Sequence, residues 1–209
     1  MKNTMLLTKL ASGMIILVAT LLVVSCESGT ITSPEAQTPD SSEINWITWN
    51  DEVLSDINAL DRRGSQTKLI LADIGGTVGN GSTFKNSVAI PAGALPHDEY
   101  ITVTVVDIEN NQQSSAAVDF LPSMDFLADV EVTLSWEFTN HDDWDCLESE
   151  DCVFDIYVVE YDEFGNEYPV LLPTVITVDY QQETVSFFVD HFTRFAWGLG
   201  SNTGTGGDN

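Results

Sequence analysis

The chain has 209 residues, of which seven are basic and 33 acidic, and its formal net charge is −26 at pH 7. This length suits one domain with appendages. The excess of carboxylates repels nucleic acid and anionic lipid headgroups, so no nucleic-acid partner is expected. Apolar residues make up 43% of the chain and cluster in periodic runs, which argues against a disordered protein.

The N-terminus has the three parts of a bacterial lipoprotein signal peptide. Lys2 and Lys9 form a positive n-region, an apolar core follows, and residues 23–26 read Val-Val-Ser-Cys. This tetrapeptide resembles the bacterial lipobox, in which the cysteine is lipidated and becomes the first mature residue. We therefore predict a signal peptide over 1–25 and acyl chains such as palmitate on Cys26, which anchor the protein to the membrane. An uncleaved anchor helix is the alternative.

Cleavage before Cys26 would remove two lysines and no acid, leaving five basic and 33 acidic residues and a net charge of −28. Residues 26–43 are rich in Ser, Thr and Pro, as in a flexible tether. We expect a cell-envelope protein, lipid-anchored to the outer membrane (periplasmic or surface-facing) or to the outer face of the cytoplasmic membrane. The polar, Gly-rich tail 200–209 is predicted to be disordered.

A short helical or irregular segment is predicted over 44–66. Its apolar residues recur at three- and four-residue steps, as on one face of an amphipathic helix: Trp46, Trp49, Val53, Ile57 and Leu60. Asn50, just before two acidic residues, is a candidate N-cap. We expect the two tryptophans to pack on the following domain rather than form an exposed binding stripe.

Over residues 67–199 the hydrophobic period changes to two. In 129–138 apolar and polar residues alternate, which predicts a half-buried strand with Trp136 and Phe138 on its core face. Two segments are apolar on both faces, as in central strands: 99–108 and 152–162. We count about nine strands with turns every 8–12 residues, which is typical of an all-β, antiparallel β-sandwich.

Turn signals separate these strands. Residues 180–183 and Asn80-Gly81 each lie between β-like runs and predict hairpins. Pro91 fixes φ where the chain leaves a strand, and Gly93 can supply a positive φ. The glycines of 75–81 do not fit the G-x-G-x-x-G nucleotide motif, so nucleotide binding is not expected.

Several pieces of this region resemble the ZU-five domain of zonula occludens proteins, netrin receptors and ankyrins. They are Gly-Gly-Thr-Val at 75–78, Val-Ala-Ile-Pro-Ala-Gly-Ala-Leu at 88–95, a middle segment at 120–136 and the closing run at 189–198. The resemblance covers roughly residues 69–198 and does not extend to the acidic insert 140–152. It implies a β-sandwich used for protein contacts and as a scaffold, with no particular partner.

Two cysteines remain once Cys26 is lipidated. Cys146 and Cys152 are separated by five residues, which can form a turn, and an oxidising envelope favours a disulfide between them. The alternative is a zinc site. It would need further ligands, and only His141 lies close by in the sequence.

The loop that contains these cysteines is strongly acidic. Its carboxylates are Asp142, Asp143, Asp145, Glu148, Glu150 and Asp151. Oxygen ligands at this density suit Ca²⁺, which takes six to eight of them, so they are candidate Ca²⁺ ligands. The glycine of the EF-hand loop is missing, and the alternative is a solvated acidic loop closed by the disulfide.

A last motif is His191-Phe192-Thr193. Some domains similar to this one cut themselves after Phe in a His-Phe-Ser sequence, where the hydroxyl attacks the preceding carbonyl. The resemblance therefore makes His191 and Thr193 candidate catalytic residues for cleavage between Phe192 and Thr193. Thr in place of Ser, and only 17 residues from Thr193 onward, favour the alternative that His191 ends one strand and Phe192 packs in the core.

The sequence as a whole favours an exported, lipid-anchored, non-catalytic binding or structural module. No cofactor other than Ca²⁺ is expected, and the partners are the membrane, through Cys26, and an unidentified protein or other envelope component. The alternatives are a self-cleaving module and a Ca²⁺-dependent adhesion module.

Overall fold

The computed structural model describes residues 44–59, 63–110, 113–142, 144–161 and 166–200, apart from the side chains of 109, 110 and 113. Several sequence predictions lie outside the described residues. They are the signal peptide 1–25, Cys26, the tether 26–43, Leu60, Asp143 and the tail from residue 201 onward.

Twelve strands and two short helices make up the described part of the chain. In chain order they are β1 (Asn45–Trp46), α1 (Asp51–Asn58), β2 (Ser65–Ile70), β3 (Gly76–Gly79), β4 (Ser87–Ile90), β5 (Glu99–Asn110), β6 (Gln113–Leu121), β7 (Asp125–Ser135), α2 (Cys146–Ser149), β8 (Phe154–Tyr161), β9 (Glu167–Leu171), β10 (Thr177–Asp179), β11 (Thr184–His191) and β12 (Arg194–Leu199).

The strands form two antiparallel sheets that pack together. The large sheet has the order β2-β5-β6-β12-β8-β9, with β1 also paired to β12, and the small sheet has the order β10-β11-β7-β4-β3. The predicted all-β antiparallel sandwich is therefore confirmed. The strands number twelve in the described residues rather than about nine. Several have only two to four residues, too few for an alternating pattern to reveal them.

The core lies between the inner faces of the two sheets and is rich in aromatic rings. Trp136 follows the last residue of β7, is 2% exposed, and stacks on Phe154 of β8 with ring centroids 5.0 Å apart. Phe187 of β11 meets Phe195 of β12 edge to face at 5.3 Å, so the two sheets are in direct contact. The predicted core position of Trp136 is confirmed, whereas Phe138 lies only partly buried at the margin of the core.

The segment before the sandwich is part of the fold. Asn50 caps α1, because its side chain accepts a hydrogen bond from the backbone N–H of Val53 at 3.0 Å. The prediction that the two tryptophans lie on a helical face was wrong, because α1 begins only at Asp51. Trp46 instead belongs to β1. Trp49 is fully buried and donates its indole N–H to the carbonyl of Val106, so it packs on the sandwich as expected.

A buried asparagine holds the loop between β3 and β4. The predicted hairpin at Asn80-Gly81 exists, but its loop runs from Asn80 to Asn86 and contains a 3₁₀ turn. The Asn86 side chain donates to the carbonyls of Thr83 and Phe84 and accepts from the N–H of Ser135. These bonds connect the loop to the end of β7. The predicted positive φ at Gly93 is also found, at +82°.

Candidate functional site

The His191-Phe192-Thr193 segment joins the two sheets. β11 of the small sheet ends at His191, and β12 of the large sheet begins at Arg194. Phe192 is fully buried and packs against Phe126, with ring centroids 4.6 Å apart. Backbone hydrogen bonds hold the segment on both sides: the Phe192 N–H donates to the Met124 carbonyl, and the Thr193 carbonyl accepts from the Phe120 N–H. The structure therefore places Phe192 in the core. This agrees with the alternative drawn from the sequence, in which His191 ends one strand and Phe192 packs in the core.

His191 and Thr193 belong to different grooves. The His191 ring lies at the surface with Nδ1 2.6 Å from Oδ1 of Asp190, and this hydrogen bond lowers the pKa of Asp190. His191 lines a groove of about 240 Å³, whereas Thr193 lines a separate groove of about 480 Å³. The one hydrogen bond that the His191 ring makes to a described residue is to Asp190, not to the Thr193 hydroxyl. Self-cleavage stays an untested alternative to the predicted intact chain.

The groove that Thr193 lines, called here the Arg194 groove, lies on the outer face of the large sheet. Its lining residues are Asp119, Phe120, Leu121, Ser123, Val159, Glu160, Tyr161, Thr193 and Arg194. β6 and β8 flank β12 on either side and extend beyond its first residue. Leu121 and Tyr161 form exposed walls of the groove, at 49% and 57%.

Arg194 stands at the centre of this groove. It is paired in register with Asp119, and the guanidinium donates from Nε and from Nη2, the latter at 3.0 Å, to the two oxygens of that carboxylate. Nη1 donates to Oε1 of Glu167 at 2.5 Å. The hydrogen bonds to Asp119, followed by the charges of both carboxylates, raise the pKa of Arg194. Arg194 is therefore a fixed, permanent cation held in a bidentate geometry.

Tyr161 is attached to the same network. Its hydroxyl donates to Oε1 of Glu167 at 2.9 Å, the oxygen that also accepts from Arg194. This hydrogen bond is the main cause of the raised pKa of Tyr161, so the phenol stays protonated. The ring is thereby held in position while more than half of its surface faces solvent.

Sequence reasoning missed this cluster. Arg194 and Asp119 are 75 residues apart in the chain, and Arg194 and Glu167 are 27 apart. One signal was available. Arg194 is one of seven basic residues in the chain and opens an otherwise apolar strand, a position where a charge needs a partner.

The acidic loop is closed by a disulfide, as predicted. Cys146 and Cys152 are bonded, with their Cα atoms 4.8 Å apart. α2 starts at Cys146, and Trp144 packs edge-on against Phe154, which attaches the loop to the core. His141, the candidate zinc ligand, turns its Nδ1 to the carbonyl of Thr139 instead.

The candidate Ca²⁺ ligands do not converge in the described residues. Asp142, Asp145, Glu148, Glu150 and Asp151 are all exposed, and Asp143 lies outside the description. Among the residues that the structure describes, no three His, Cys, Asp or Glu side chains are placed so that they could hold a metal ion. Ca²⁺ binding stays an untested alternative to a solvated acidic loop.

The comparisons with known proteins give no family. No protein-family model matches the chain, and no curated protein matches it significantly. The resemblance to ZU-five domains therefore stays a prediction. Within the described ranges, neither helix has the length and apolar character needed to cross a bilayer.

Proposed function

We propose that this chain is an exported, lipid-anchored, non-catalytic binding or structural module of the bacterial cell envelope. The observation that carries the proposal is the order of three segments: Val-Val-Ser-Cys at 23–26, the polar stretch to residue 43, and a folded domain from Ile44 onward. We expect this polar stretch, rich in Ser, Thr and Pro, to serve as a tether between a lipidated Cys26 and the folded domain.

The start of the domain fits such an anchor. Asn45 and Trp46 pair with Leu199 and Gly198 of β12, so the first and last strands of the sandwich are hydrogen-bonded to each other. Ile44, at the end of the tether, is buried. A force on the tether would therefore act on paired strands and a buried side chain, not on an unattached chain end.

The environments of the histidines favour a non-catalytic role. The Nδ1 atom of each ring lies against a nearby backbone carbonyl or carboxylate: Asp98 for His97, Thr139 for His141 and Asp190 for His191. A carboxylate or carbonyl on Nδ1 also orients a catalytic histidine, so the Nε2 atoms decide. Among the described residues, no hydrogen bond joins Nε2 of any of the three rings to a hydroxyl or thiol, which supports a binding role rather than a catalytic one.

Metabolic labelling with a radioactive fatty acid tests the anchor. Label should enter the wild-type protein and be lost in Cys26→Ala, because the thiol is the only group of the Val-Val-Ser-Cys motif that can form a thioether to lipid. Ser28→Ala, a change of similar size two residues away, serves as the matched control and should retain the label. Equal labelling of Cys26→Ala and wild type would refute the anchor.

A further inference from the structure

The Arg194 groove carries unused hydrogen-bonding capacity. A guanidinium has five N–H donors, and Arg194 directs three of them to Asp119 and Glu167. The other two, one on each Nη atom, meet no acceptor among the described residues. Each oxygen of Asp119 accepts one of these bonds and retains a second lone pair. The groove therefore presents a fixed donor and a fixed acceptor side by side.

A hydroxyl group matches this arrangement better than any ion. A hydroxyl can both donate and accept, so one hydroxyl of a ligand can accept a spare N–H of Arg194 while another hydroxyl of the same ligand gives its hydrogen to Asp119. Both protein groups are already held in place by their mutual bonds, so little side-chain freedom is lost on binding. Adjacent hydroxyls on a rigid ring would use both of the spare Arg194 donors.

The walls of the groove add apolar contacts to these polar ones. The exposed ring of Tyr161 offers a face whose negative quadrupole attracts the weakly positive C–H edges of a saturated ring. Leu121 and Val159 line the groove beside it. Its volume, about 480 Å³, lies within the about 300–1,000 Å³ that is usual for small-ligand sites.

Charge decides between the classes of ligand. Arg194, Asp119 and Glu167 together carry a formal charge of −1 within a chain of −26, which disfavours anions. A basic peptide would meet a guanidinium at the centre of the groove and carboxylates that are already paired. A purely apolar ligand would displace the water that solvates these charged groups. It would offer no hydrogen bonds in place of those lost. A neutral ligand with hydroxyl groups on a ring is not repelled by these charges. Its hydroxyls also supply hydrogen bonds in place of the displaced water.

We infer that the Arg194 groove binds a neutral saccharide chain, with one sugar ring against Tyr161 and its hydroxyls on Arg194 and Asp119. This inference rests on the proposed binding role and specifies its ligand class. Saccharide binding does not require the lipid on Cys26. Equal labelling of Cys26→Ala and wild type with intact saccharide binding would therefore overturn the anchor and leave the groove. Label that depends on Cys26, without saccharide binding, would overturn the groove alone.

Affinity electrophoresis of the full chain tests the groove. The protein is extracted in a detergent without a sugar headgroup and run through native gels containing laminarin, hydroxyethyl cellulose, dextran or galactomannan. At least one of these neutral polysaccharides should retard the wild type. Tyr161→Ala should weaken that retardation at least about tenfold, whereas Tyr161→Phe, which keeps the ring, should stay within about threefold of wild type.

Tyr100→Ala is the matched control. Tyr100 is 62% exposed on β5, on the outer face of the same sheet, and does not line the groove. Its replacement should leave the retardation unchanged. No retardation by any of the four polysaccharides would overturn the inference, as would an equal loss in Tyr100→Ala and Tyr161→Ala. Retardation by carboxymethyl cellulose alone, or capture on polylysine beads alone, would overturn it in favour of an ionic ligand.

Discussion

The side-chain oxygen of Asn86 accepts a hydrogen bond from the backbone N–H of Ser135 at 3.0 Å, across 49 residues of chain. Asn86 is fully buried, and its amide also donates to the carbonyls of Thr83 and Phe84. One side chain thus satisfies three backbone groups in the interior. It does so beside Phe84, which has the left-handed φ of +51°.

Replacing Asn86 should therefore be costly. Asn86→Ala leaves buried backbone groups without partners, and we expect it to lower the free energy of unfolding by about 2–4 kcal/mol. Asn45→Ala, at an exposed position of β1, should change it by less than about 0.5 kcal/mol. Urea unfolding followed by tryptophan fluorescence measures both. Equal free energies of unfolding for the two variants would show that the Asn86 hydrogen bonds make no net contribution to stability.

Trp136 tests the position of the core. It stacks on Phe154, and its ring meets Tyr180 at 5.9 Å, so truncation would open a cavity between the sheets. Trp136→Ala should cost about 3–5 kcal/mol of unfolding free energy. Phe188→Ala removes a ring that is 60% exposed on β11 and should cost far less. A loss below about 1 kcal/mol for Trp136→Ala in denaturant melting would place the core elsewhere.

Tyr157 should make the domain sensitive to alkali. Burial, and then the charge of Asp155 and a hydrogen bond to it, raise the pKa of Tyr157 from 10.0 to about 12. The folded state therefore holds this proton more tightly than the unfolded chain does. The resulting stabilisation is complete below pH 10 and is lost as the pH rises from 10 towards 12.

Tyr157→Phe isolates this effect. Tyr161 and Tyr180, whose pKa values are also raised, are present in both proteins, so their contributions cancel in the comparison. Denaturant unfolding across the alkaline window should show a smaller loss of stability for Tyr157→Phe than for wild type. Parallel curves for the two proteins would mean that Tyr157 titrates alike in the folded and unfolded states.

Glu150 holds a backbone conformation that suits glycine. It ends α2 with φ +54° and ψ +37°, in the left-handed region, and it is one of several exposed carboxylates in the acidic loop. Glu150→Gly should raise the unfolding free energy by about 0.5–1 kcal/mol, because it relieves this strain and reduces charge repulsion. Glu148→Gly removes the same charge inside α2 and should instead be destabilising. Thermal melting compares the two, and the opposite order would contradict the assignment.

The features predicted correctly from the sequence depend on neighbouring residues. The alternation over 129–138 identified the strand that leads to Trp136, and the residue type at Asn50, with acidic residues after it, identified the cap of α1. Both signals lie within ten residues of chain. The spacing of Cys146 and Cys152 likewise allowed their pairing to be proposed.

The features that were missed depend on distant residues. Arg194 meets Asp119 and Glu167 only because β12 inserts between β6 and β8, and no local pattern specifies that order of strands. The helical pattern failed at Trp46 and Trp49 for a related reason. The apolar residues before α1 recur at three- and four-residue steps. Their conformation is nevertheless set by pairing with β12 and by burial on the sandwich.

The most direct test of the central claim, a lipid-anchored module that does not cut itself, is the intact mass of the mature protein from its native envelope. We predict one species that begins at an acylated Cys26 and continues unbroken through Phe192 and Thr193. The full burial of the Phe192 ring favours the intact chain. A mass that retains residues 1–25, an unmodified Cys26, or a fragment that starts at Thr193 would contradict the account.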